Sequence, residues 1–574
     1  MDYMKKYKSW LTSDYFDSAT KRELIELSQS EIEDRFTCDL EFGTGGLRGK
    51  MGAGTNRMNI YTVRRASQGL AEYVLAEGMK ERGIAVAYDS RRMSSEFAEE
   101  AALCFCANGI PVYIFDSLRP TPELSFAVRR LGCAAGIVIT ASHNPPEYNG
   151  YKVYWEDGAQ ITHPRDQEII EAVNGITFYD QAKTMTEEEA ESAGLLHVIG
   201  EEVDREYLSE LKKQILEPQS ILEQADRLKI VYTPLHGTGN RPVRRLLKEL
   251  GFSRVYCVPE QEEPDGDFPT VSYPNPEDRN AFKMALELAR KVDADIVLAT
   301  DPDADRLGVY GKDCESGEYI RFTGNMTGAL ICDYELTRRK ARGILPRDGA
   351  VVTTIVSGKM AESIAEEFGV KVIRTLTGFK YIGEQIRLFE QNGSGTYLFG
   401  YEESYGCLTG TCVRDKDAVS AAMVLCEMAA YYKNTDMTLW DRMQELYEKY
   451  GFYKEDLYTL VLDGISGQEK IRRVMEHVRT EQPERIAGLR VKKAYDYARD
   501  ILKDCDTGAV SKTGLLKSDV LYYELEDQAW CCIRPSRTEP KVKIYAGVKG
   551  NGFEDADRKL ALLMQGGIRL LNAE

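Results

Sequence analysis

One stretch of the chain, residues 136–152, places a serine hydroxyl where it could do chemistry. The run 137–139 is Ile-Val-Ile, which predicts a buried strand, and the two prolines after Asn144 prevent that strand from continuing. Ser142 is therefore predicted on a turn that leaves a strand, and ligands of open α/β sheets collect at such turns. The alternative is an ordinary turn in which Ser142 and Asn144 bond to nearby backbone amides. His143 follows directly, but neighbouring side chains point apart in an extended segment, which argues against a serine–histidine nucleophile and base pair.

A second loop carries alternating aspartates, Asp301, Asp303 and Asp305, directly after an apolar run at 294–299. Three carboxylates this close repel one another strongly unless they share a divalent cation. Their hard oxygens suit Mg²⁺, which keeps positions open for a phosphate oxygen or a water molecule. An EF-hand is excluded because Arg306 stands where that motif needs glycine. A solvated acidic turn is the alternative interpretation, and the buried strand predicted before it argues against that alternative.

Two further loops carry groups that bind oxyanions. Residues 42–49 are rich in glycine and include Arg48, so exposed amides and one guanidinium are available there. Near the C-terminus, the guanidinium of Arg534 and the hydroxyls of Ser536 and Thr538 share one short loop. Such a loop can grip a phosphate group bidentately.

A carboxylate and a hydroxyl, those of Glu402 and Ser404, follow the strand predicted at 396–399. This pair suits adjacent hydroxyls of a sugar, although glutamates at a salt-bridged edge of the core would give the same pattern. Lys152 and Arg48 supply cations that can handle a proton or a developing phosphoryl charge.

The elements that carry these loops follow the order strand, loop, helix and strand, which is typical of doubly wound α/β domains. We predict such domains at 1–205, with a helical N-terminal extension, at 206–321 and at 322–438. Within the first, residues 157–201 are predicted to be closing elements and a polar link. A smaller α+β domain is predicted at 439–574. The predicted strands lie at 84–88, 111–115, 137–139, 229–232, 294–299, 351–355, 370–374, 396–399, 520–530 and 542–546.

The composition excludes several classes of protein. With 574 residues the chain is too long for a single core, and 92 acidic against 74 basic residues give a net charge of -18. This charge argues against nucleic-acid or anionic membrane surfaces. The 13 cysteines lack metal-knuckle spacing and are expected to be reduced thiols. No segment has the length and apolar character of a signal peptide or a membrane span, so we expect a cytoplasmic protein.

Taken together, these loops resemble the α-D-phosphohexomutase superfamily, and the match covers nearly the whole chain. The strings T-A-S-H-N-P, D-P-D-A-D-R and R-P-S-R-T are similar to the family's serine, metal and phosphate loops, and a sugar loop of the G-E-x-S type precedes the last. Four ordered motifs are far more specific than any single one. The resemblance implies three similar doubly wound α/β domains and a C-terminal α+β domain like the TATA-box-binding protein, around one central cleft. It is strongest to the long branch that contains phosphoglucomutases and phosphopentomutases.

The resemblance also implies a role for each matching residue. Ser142 would be the phosphorylated serine, and its phosphate would join Asp301, Asp303 and Asp305 in holding one Mg²⁺ per chain. Lys152 would be the general base. The other residues implied as catalytic are Arg48, His143 and Arg306. The residues implied in substrate binding are Glu402 and Ser404 for sugar hydroxyls, Arg534, Ser536 and Thr538 for the unreacting phosphate, and Thr377, Gly378 and Lys416 at further active-site loops.

The activity implied is interconversion of α-D-glucose 1-phosphate and glucose 6-phosphate, with glucose 1,6-bisphosphate as intermediate and activator. On the same scaffold, mannose or pentose phosphates could be the substrates, or bisphosphate synthesis the reaction. A hydrophobic strand followed by D-x-D is also the pattern of haloacid-dehalogenase phosphatases, with Asp301 as nucleophile, and a non-catalytic sugar-phosphate sensor is a further alternative. The expected partners are sugar phosphates alone, with the chain as a monomer or a homodimer.

Overall fold

The structure, a computed structural model, describes residues 2–43, 45–462, 464–536 and 541–571.

The N-terminal extension is a packed helical element. Trp10 stacks on Phe16, with 4.1 Å between ring centroids, and meets Tyr61 of the first domain edge-on at 5.5 Å. These aromatic contacts fasten the extension to the first domain. Its helices are Asp2–Thr12, Ser18–Ile25 and Gln29–Phe36.

The first sheet carries the serine loop at the carboxyl end of a central strand. This strand, Ala135–Ile139, is buried throughout because its residues are all small or β-branched. It pairs in parallel with Ile84–Tyr88 and antiparallel with Tyr148–Trp155, which places Lys152 opposite Val138. Across the sheet the strands are Gly46–Lys50, Tyr148–Trp155, Ala135–Ile139, Ile84–Tyr88, Val112–Phe115 and Leu196–Ile199.

The edge strand of this sheet, Leu196–Ile199, lies inside the stretch predicted as closing elements and a polar link. It adds in parallel to Val112–Phe115, and its His197 and Val198 side chains are exposed, as an edge position allows. The helices around the sheet are Ile60–Ala76, Ser94–Ala107, Thr121–Leu131, Arg165–Gly175 and Glu187–Ser192.

The second sheet carries the aspartate loop in the same way. Its central strand, Ile296–Thr300, is buried throughout and runs directly into Asp301. The strands in order are Tyr319–Phe322, Leu307–Lys312, Ile296–Thr300, Ile230–Thr233 and Val255–Cys257. The helices of this region are Glu201–Lys212, Pro218–Gln224, Asn240–Glu249, Pro259–Glu262 and Lys283–Val292.

The third sheet and its helices complete a core shared by the first three domains. Helix Ala418–Lys433 is buried along almost its whole length and packs on helix Asn240–Glu249 and strand Ile296–Thr300 of the second domain. One continuous apolar cluster therefore includes Leu124, Val243 and Val424, each from a different domain. The strands in order are Lys371–Thr375, Gly349–Thr354, Thr396–Tyr401 and Cys407–Thr409, and the helices are Gly324–Ala341, Met360–Glu367, Lys380–Asn392 and Ala418–Lys433.

The C-terminal domain is an antiparallel sheet with its own apolar cluster, joined to the third domain through helix Leu439–Tyr450. The single strand predicted at 520–530 is wrong in one respect: a turn at Glu526–Gln528, with positive φ at Asp527 and Gln528, divides it. The strands in order are Phe452–Val461, Lys541–Gly550, Trp530–Pro535, Leu521–Leu525, Leu489–Asp496, Ile501–Asp504 and Val510–Ser511, and Arg485–Ile486 pairs with Leu489–Asp496. The long helices are Gly464–Glu481 and Phe553–Leu571.

The predicted architecture of three α/β domains followed by an α+β domain is confirmed. Within the described ranges, no helix combines the length and the apolar character needed to cross a membrane.

The contact between the third and fourth domains contains a half-buried carboxyl, Glu455, on the strand Phe452–Val461. Asn325 Nδ2 of the third domain donates to Glu455 Oε2 at 3.0 Å. Burial raises the pKa of Glu455 to about 7, although the hydrogen bond from Asn325 lowers it. Between the unfolded pKa and about pH 7 the folded protein holds a proton that the unfolded chain has lost, so stability falls as the pH rises from the unfolded pKa through the folded one.

Replacing this carboxyl by an amide should make the contact insensitive to pH. We expect Glu455→Gln to raise the melting temperature by about 2–4 °C at about pH 8.5, where the wild type bears a poorly solvated charge, and to leave it unchanged near about pH 5. Thermal melts at both pH values measure the difference. Glu448→Gln, an exposed position on the preceding helix, controls for the lost charge. A melting-temperature difference that is the same at both pH values would contradict the role of Glu455.

Candidate active site

Ser142 lies at the carboxyl end of its strand with its hydroxyl against the aspartate loop. Its side-chain Oγ donates a hydrogen bond to Asp301 Oδ2 at 2.6 Å, and its backbone N–H donates to Thr140 Oγ1 at 2.8 Å. The residue is buried and adopts a left-handed conformation with φ of 50°. That conformation costs a non-glycine residue roughly 1 kcal/mol or more, so the surrounding loop must enforce it.

The expectation that His143 points away from Ser142 is wrong. His143 Nδ1 lies 3.2 Å from Ser142 Oγ. The expectation assumed an extended backbone, whereas the left-handed turn at Ser142 brings the neighbouring side chains together. Burial lowers the pKa of His143 well below its usual value, and the charges of Arg306 and Arg48 lower it further. The imidazole is therefore neutral beside the hydroxyl at physiological pH.

The three aspartates form a compact group of buried carboxylates. One ligand oxygen from each of Asp301, Asp303 and Asp305 lies within 4.8 Å of the others. The loop folds around Asp301 Oδ1, which accepts from the backbone N–H groups of Asp305 at 3.1 Å and Arg306 at 3.0 Å. Asp303 Oδ1 and Asp305 Oδ1 are buried and have no hydrogen-bond partner among the described residues. Buried oxygens left over in this way fit a hard divalent cation.

Cations from two other domains reach the same carboxylates. Lys152 Nζ lies 2.7 Å from Asp303 Oδ2 and 3.1 Å from Asp305 Oδ2. Lys416 Nζ of the third domain lies 3.1 Å from Asp305 Oδ2 and also pairs with Asp415 at 3.3 Å. The sheet register explains how Lys152 comes so close to the serine loop, since it lies on the antiparallel neighbour of the serine strand.

The pKa values of Asp301 and Asp305, at the two ends of the aspartate loop, are shifted in opposite directions. Burial, together with the charges of Asp303 and Asp305, raises the pKa of Asp301 well above its usual range. At Asp305 burial acts in the same direction, but the charges of Lys152, Lys416 and Arg306 overcome it and lower the pKa. In this arrangement Asp305 is ionised, while Asp301 faces the serine hydroxyl with its charge disfavoured.

The two predicted arginines flank the serine loop and the aspartate loop. Arg48 Nη1 donates to Asn144 Oδ1 of the serine loop at 3.2 Å. Arg306 is paired with Glu277, and its Nε lies 3.9 Å from Asp305 Oδ1. Burial lowers the pKa of Arg306, but the carboxylates of Glu277 and Asp305 raise it overall, so the guanidinium keeps its charge.

The predicted sugar-binding residues lie on the side of the third domain that carries Lys416. Glu402 is buried, and burial raises its pKa to about 7 although Lys416 lowers it. A hydrogen bond from Ser404 also lowers the pKa of Glu402, which links the two predicted groups. Thr377 and Gly378 follow the strand Lys371–Thr375, and Gly378 has φ of 116°, a conformation that requires glycine. The ring of the next residue, Phe379, lies 5.8 Å from Lys416 Nζ.

The predicted phosphate loop begins at the end of strand Trp530–Pro535. Ser536 donates its backbone N–H to the carbonyl of Lys541 at 2.7 Å, and Thr538 lies outside the described residues. Burial raises the pKa of Glu403 in the sugar loop, and the charge of Arg534 lowers it. The sequence interpretation missed Lys543, which lies opposite Arg534 in the sheet and whose pKa is lowered by burial and by Arg534. Pairing the two strands on either side of the phosphate loop as a hairpin would have placed Lys543 opposite Arg534.

Arg91 is a second functional residue that the sequence interpretation missed. It is buried and donates to the backbone carbonyls of Ser142 at 2.5 Å, Pro145 at 2.9 Å and Tyr148 at 3.1 Å, and to that of Asn144. The planar guanidinium group of Arg91 binds several carbonyls at once and thereby fixes the serine loop in its strained conformation. The only local signal was the string Asp-Ser-Arg-Arg at the end of a predicted strand.

Replacing the planar guanidinium group of Arg91 should make the serine loop more flexible. We expect Arg91→Lys to speed amide hydrogen exchange in residues 141–144 at least about tenfold, because an ammonium group cannot satisfy the same set of carbonyls. Hydrogen exchange read by mass spectrometry measures this. Arg92→Lys is the matched control, since Arg92 is an exposed neighbour that pairs with Asp267. Unchanged exchange in the Arg91→Lys variant would show that the serine loop keeps its conformation without the Arg91 guanidinium.

Comparisons with known families match the three α/β domains in order. The phosphoglucomutase/phosphomannomutase α/β/α domains I, II and III match residues 39–180, 205–316 and 323–450. A phosphoglucomutase of Staphylococcus aureus is 37% identical over 534 residues, covering 93% of this chain and 94% of the relative. A phosphoglucomutase of Staphylococcus epidermidis is 36% identical over 554 residues, covering 96% of each chain.

Solved structures share the fold. A phosphoglucomutase/phosphomannomutase family protein of Burkholderia thailandensis has a TM-score of 0.64 at 20% identity and covers 93% of this chain and 97% of its own. The open form of the phosphoglucomutase parafusin of Paramecium has a TM-score of 0.67 at 18% identity, with 93% and 95% covered. With matched domains over most of its length and close relatives over nearly all of it, the chain belongs to the phosphoglucomutase/phosphomannomutase family of the α-D-phosphohexomutase superfamily.

Proposed function

We propose that this chain is a Mg²⁺-dependent phosphoglucomutase that interconverts α-D-glucose 1-phosphate and glucose 6-phosphate through a phosphorylated Ser142. The observation that carries the proposal is the contact of Ser142 Oγ with Asp301 Oδ2 at 2.6 Å, at the edge of a cluster of buried carboxylates. A phosphate on this oxygen would lie within reach of a cation bound by the cluster. Curated relatives named phosphoglucomutase, 36–37% identical over nearly the whole chain, support glucose phosphates over the mannose and pentose alternatives.

The metal would be held by Asp301, Asp303 and Asp305 together with a phosphate oxygen on Ser142. The two buried oxygens without partners, Asp303 Oδ1 and Asp305 Oδ1, support this assignment because they offer ligands that no described protein group uses. When bound, Mg²⁺ would neutralise charge on the transferring phosphoryl group.

Lys152 is positioned to act as the general base. Its ammonium group contacts Asp303 and Asp305, and although burial lowers its pKa, these carboxylates raise it overall. The lysine can therefore release its proton only when those carboxylates are neutralised by another charge. Lys152 would therefore act as a base only when the site is occupied.

The proposed cycle transfers one phosphoryl group in each direction. The O6 hydroxyl of glucose 1-phosphate attacks the phosphorus on Ser142, its proton passes to Lys152, and the bond from phosphorus to Ser142 Oγ breaks. The resulting 1,6-bisphosphate turns over in the cleft, and Ser142 Oγ, which kept the electron pair of the broken bond, attacks the phosphorus of the 1-phosphate. The bond from that phosphorus to O1 breaks, and O1 takes the proton held by Lys152. Arg48 and Arg306, both beside the serine and aspartate loops, would stabilise the charge that develops on the transferring group.

The substrate's far phosphate would be held by the fourth domain. Arg534, Ser536 and Thr538 were predicted for this role, and the proximity of Lys543 to Arg534 supports a strongly basic pocket there. The sugar hydroxyls would be read by Glu402, Ser404 and the neighbouring loop at Thr377 and Gly378. Both orientations of the bisphosphate must fit, so this pocket accepts either phosphate.

Loss of the serine oxygen should remove turnover. We expect Ser142→Ala to lower the rate of glucose 6-phosphate formation on the order of 10⁴-fold or more, because the variant has no oxygen to carry the phosphoryl group. A coupled assay primed with glucose 1,6-bisphosphate measures the rate, with the exposed Ser95→Ala as matched control. Turnover above a tenth of the wild-type rate in a folded Ser142 variant would refute the role.

Loss of a carboxylate should weaken metal binding. We expect Asp303→Asn to lower the affinity for Mg²⁺ at least about tenfold, since an amide oxygen is a weaker ligand for a hard cation than a carboxylate. Titration calorimetry with Mg²⁺ measures the affinity without substrate. Asp226→Asn, at an exposed position, is the control for the change in net charge. Equal affinity in the two variants would place the cation elsewhere.

A further inference from the structure

A cavity of about 1000 Å³ lies between the first and second domains, outside the candidate active site. Its walls come from the segment before helix Thr121–Leu131, from helix Glu201–Lys212 and from helix Asn240–Glu249. No residue predicted for catalysis, metal binding or substrate binding is among its lining residues. The volume lies at the upper end of the range typical of small-molecule sites.

One wall of the cavity is a basic stripe on helix Asn240–Glu249. Arg241, Arg244, Arg245 and Lys248 all line the cavity, and their spacing of three, four and seven residues places them on one face of the helix. Two of them, Arg244 and Arg245, are neutralised by glutamates. The other two are not.

The side chains of Arg241 and Lys248 are exposed, and neither side chain makes a hydrogen bond or a salt bridge with any part of the chain that the structure describes. The charge of Arg241 is close enough to Asp204 to lower the pKa of that carboxyl. Seven helical residues separate Arg241 from Lys248, which corresponds to about 10 Å along the helix axis. Cationic side chains without a salt-bridge partner among the described residues attract an anionic ligand, particularly in a protein whose net charge is -18.

The deeper walls of the cavity are apolar. Leu208 and Phe252 are almost completely buried, and the ring of Tyr207 lies between the cavity and the shared core. Glu123 is also buried there, and its Oε1 lies 3.9 Å from Arg119 Nε but has no hydrogen-bond partner within the described ranges. Burial and a hydrogen bond with Asp204 raise the pKa of Glu123 well above its usual range, so this wall adds a polar group without a charge.

The cavity walls also support the aspartate loop from behind. Thr238, a lining residue, donates its N–H and its Oγ1 to the carbonyl of Pro302, each at 2.8 Å. Thr121, at the start of the helix that carries Glu123, donates its N–H to the carbonyl of Asp303 at 2.9 Å and its Oγ1 to Asp303 Oδ2 at 2.8 Å. A ligand that orders these walls acts on the proposed metal ligands through direct hydrogen bonds.

We propose that this cavity binds a small anion with a planar, largely apolar body, of the class of a nucleoside monophosphate, and that its occupancy is coupled to the metal loop. The anionic group lies against Arg241 and Lys248, the planar body against Leu208 and Phe252, and Glu123 Oε1 bonds a polar edge of that body. The site is separate from the one that binds sugar phosphates.

The probe for this proposal is AMP, titrated calorimetrically into the full-length protein with the active site saturated by glucose 1-phosphate. We expect saturable binding that Arg241→Glu with Lys248→Glu weakens at least about tenfold. Arg472→Glu with Arg473→Glu, an exposed pair in the fourth domain, is the control with the same change in charge and should leave binding unchanged. Adenosine and inorganic phosphate, each with half of the recognised chemistry, should bind at least about tenfold more weakly than AMP.

Several results would overturn the binding site: no saturation up to about 5 mM AMP, displacement by glucose 1-phosphate, equal affinity for adenosine, or equal loss in both charge-reversed variants. A second measurement tests the coupling. Saturating AMP should change the Mg²⁺ affinity of the wild type at least about fivefold and leave that of the Arg241 and Lys248 double variant unchanged. An identical Mg²⁺ affinity with and without AMP in the wild type would overturn the coupling.

Discussion

The repulsion among three buried carboxylates is the constraint on which this structure depends. Asp301, Asp303 and Asp305 sit at the end of a central strand with almost no exposure to solvent, where like charges are costly. Lys152 comes from the first domain and Lys416 from the third, and the proposed metal would supply the remaining charge. The site is therefore complete only when the domains are packed together, and the continuous core through the first three domains secures that packing.

The second requirement is a backbone held in strained conformations at the site. Ser142 and Ala304 both have positive φ without being glycine, one in the serine loop and one in the aspartate loop. Each loop is fixed from outside, the first by the Arg91 guanidinium and the second by the hydroxyls of Thr121 and Thr238. Strain that is enforced in this way concentrates at functional sites, where it keeps reacting groups in place. The fourth domain, by contrast, has its own core and meets the third domain through a smaller apolar cluster.

The sequence predicted the parts of the site that depend on local pattern. Buried strands followed by polar loops gave Ser142 and the aspartates, because apolar runs and prolines mark where a strand ends. The predicted domain boundaries and residue roles stay predictions, and Thr538 lies outside the described residues. Parts that depend on packing could not be predicted. Arg91 acts through carbonyls of a loop more than fifty residues away, and the closeness of His143 to the serine depends on one left-handed residue.

Locating the phosphoryl group on the protein distinguishes a phosphorylated Ser142 from an aspartyl phosphate on Asp301. The purified enzyme would be incubated with Mg²⁺ and glucose 1,6-bisphosphate labelled in its phosphoryl groups, digested, and mapped by mass spectrometry for the labelled peptide. We expect the label on Ser142, in a form that glucose 1-phosphate discharges into the bisphosphate. Label on Asp301, or no labelled peptide in a protein that turns over, would contradict this expectation.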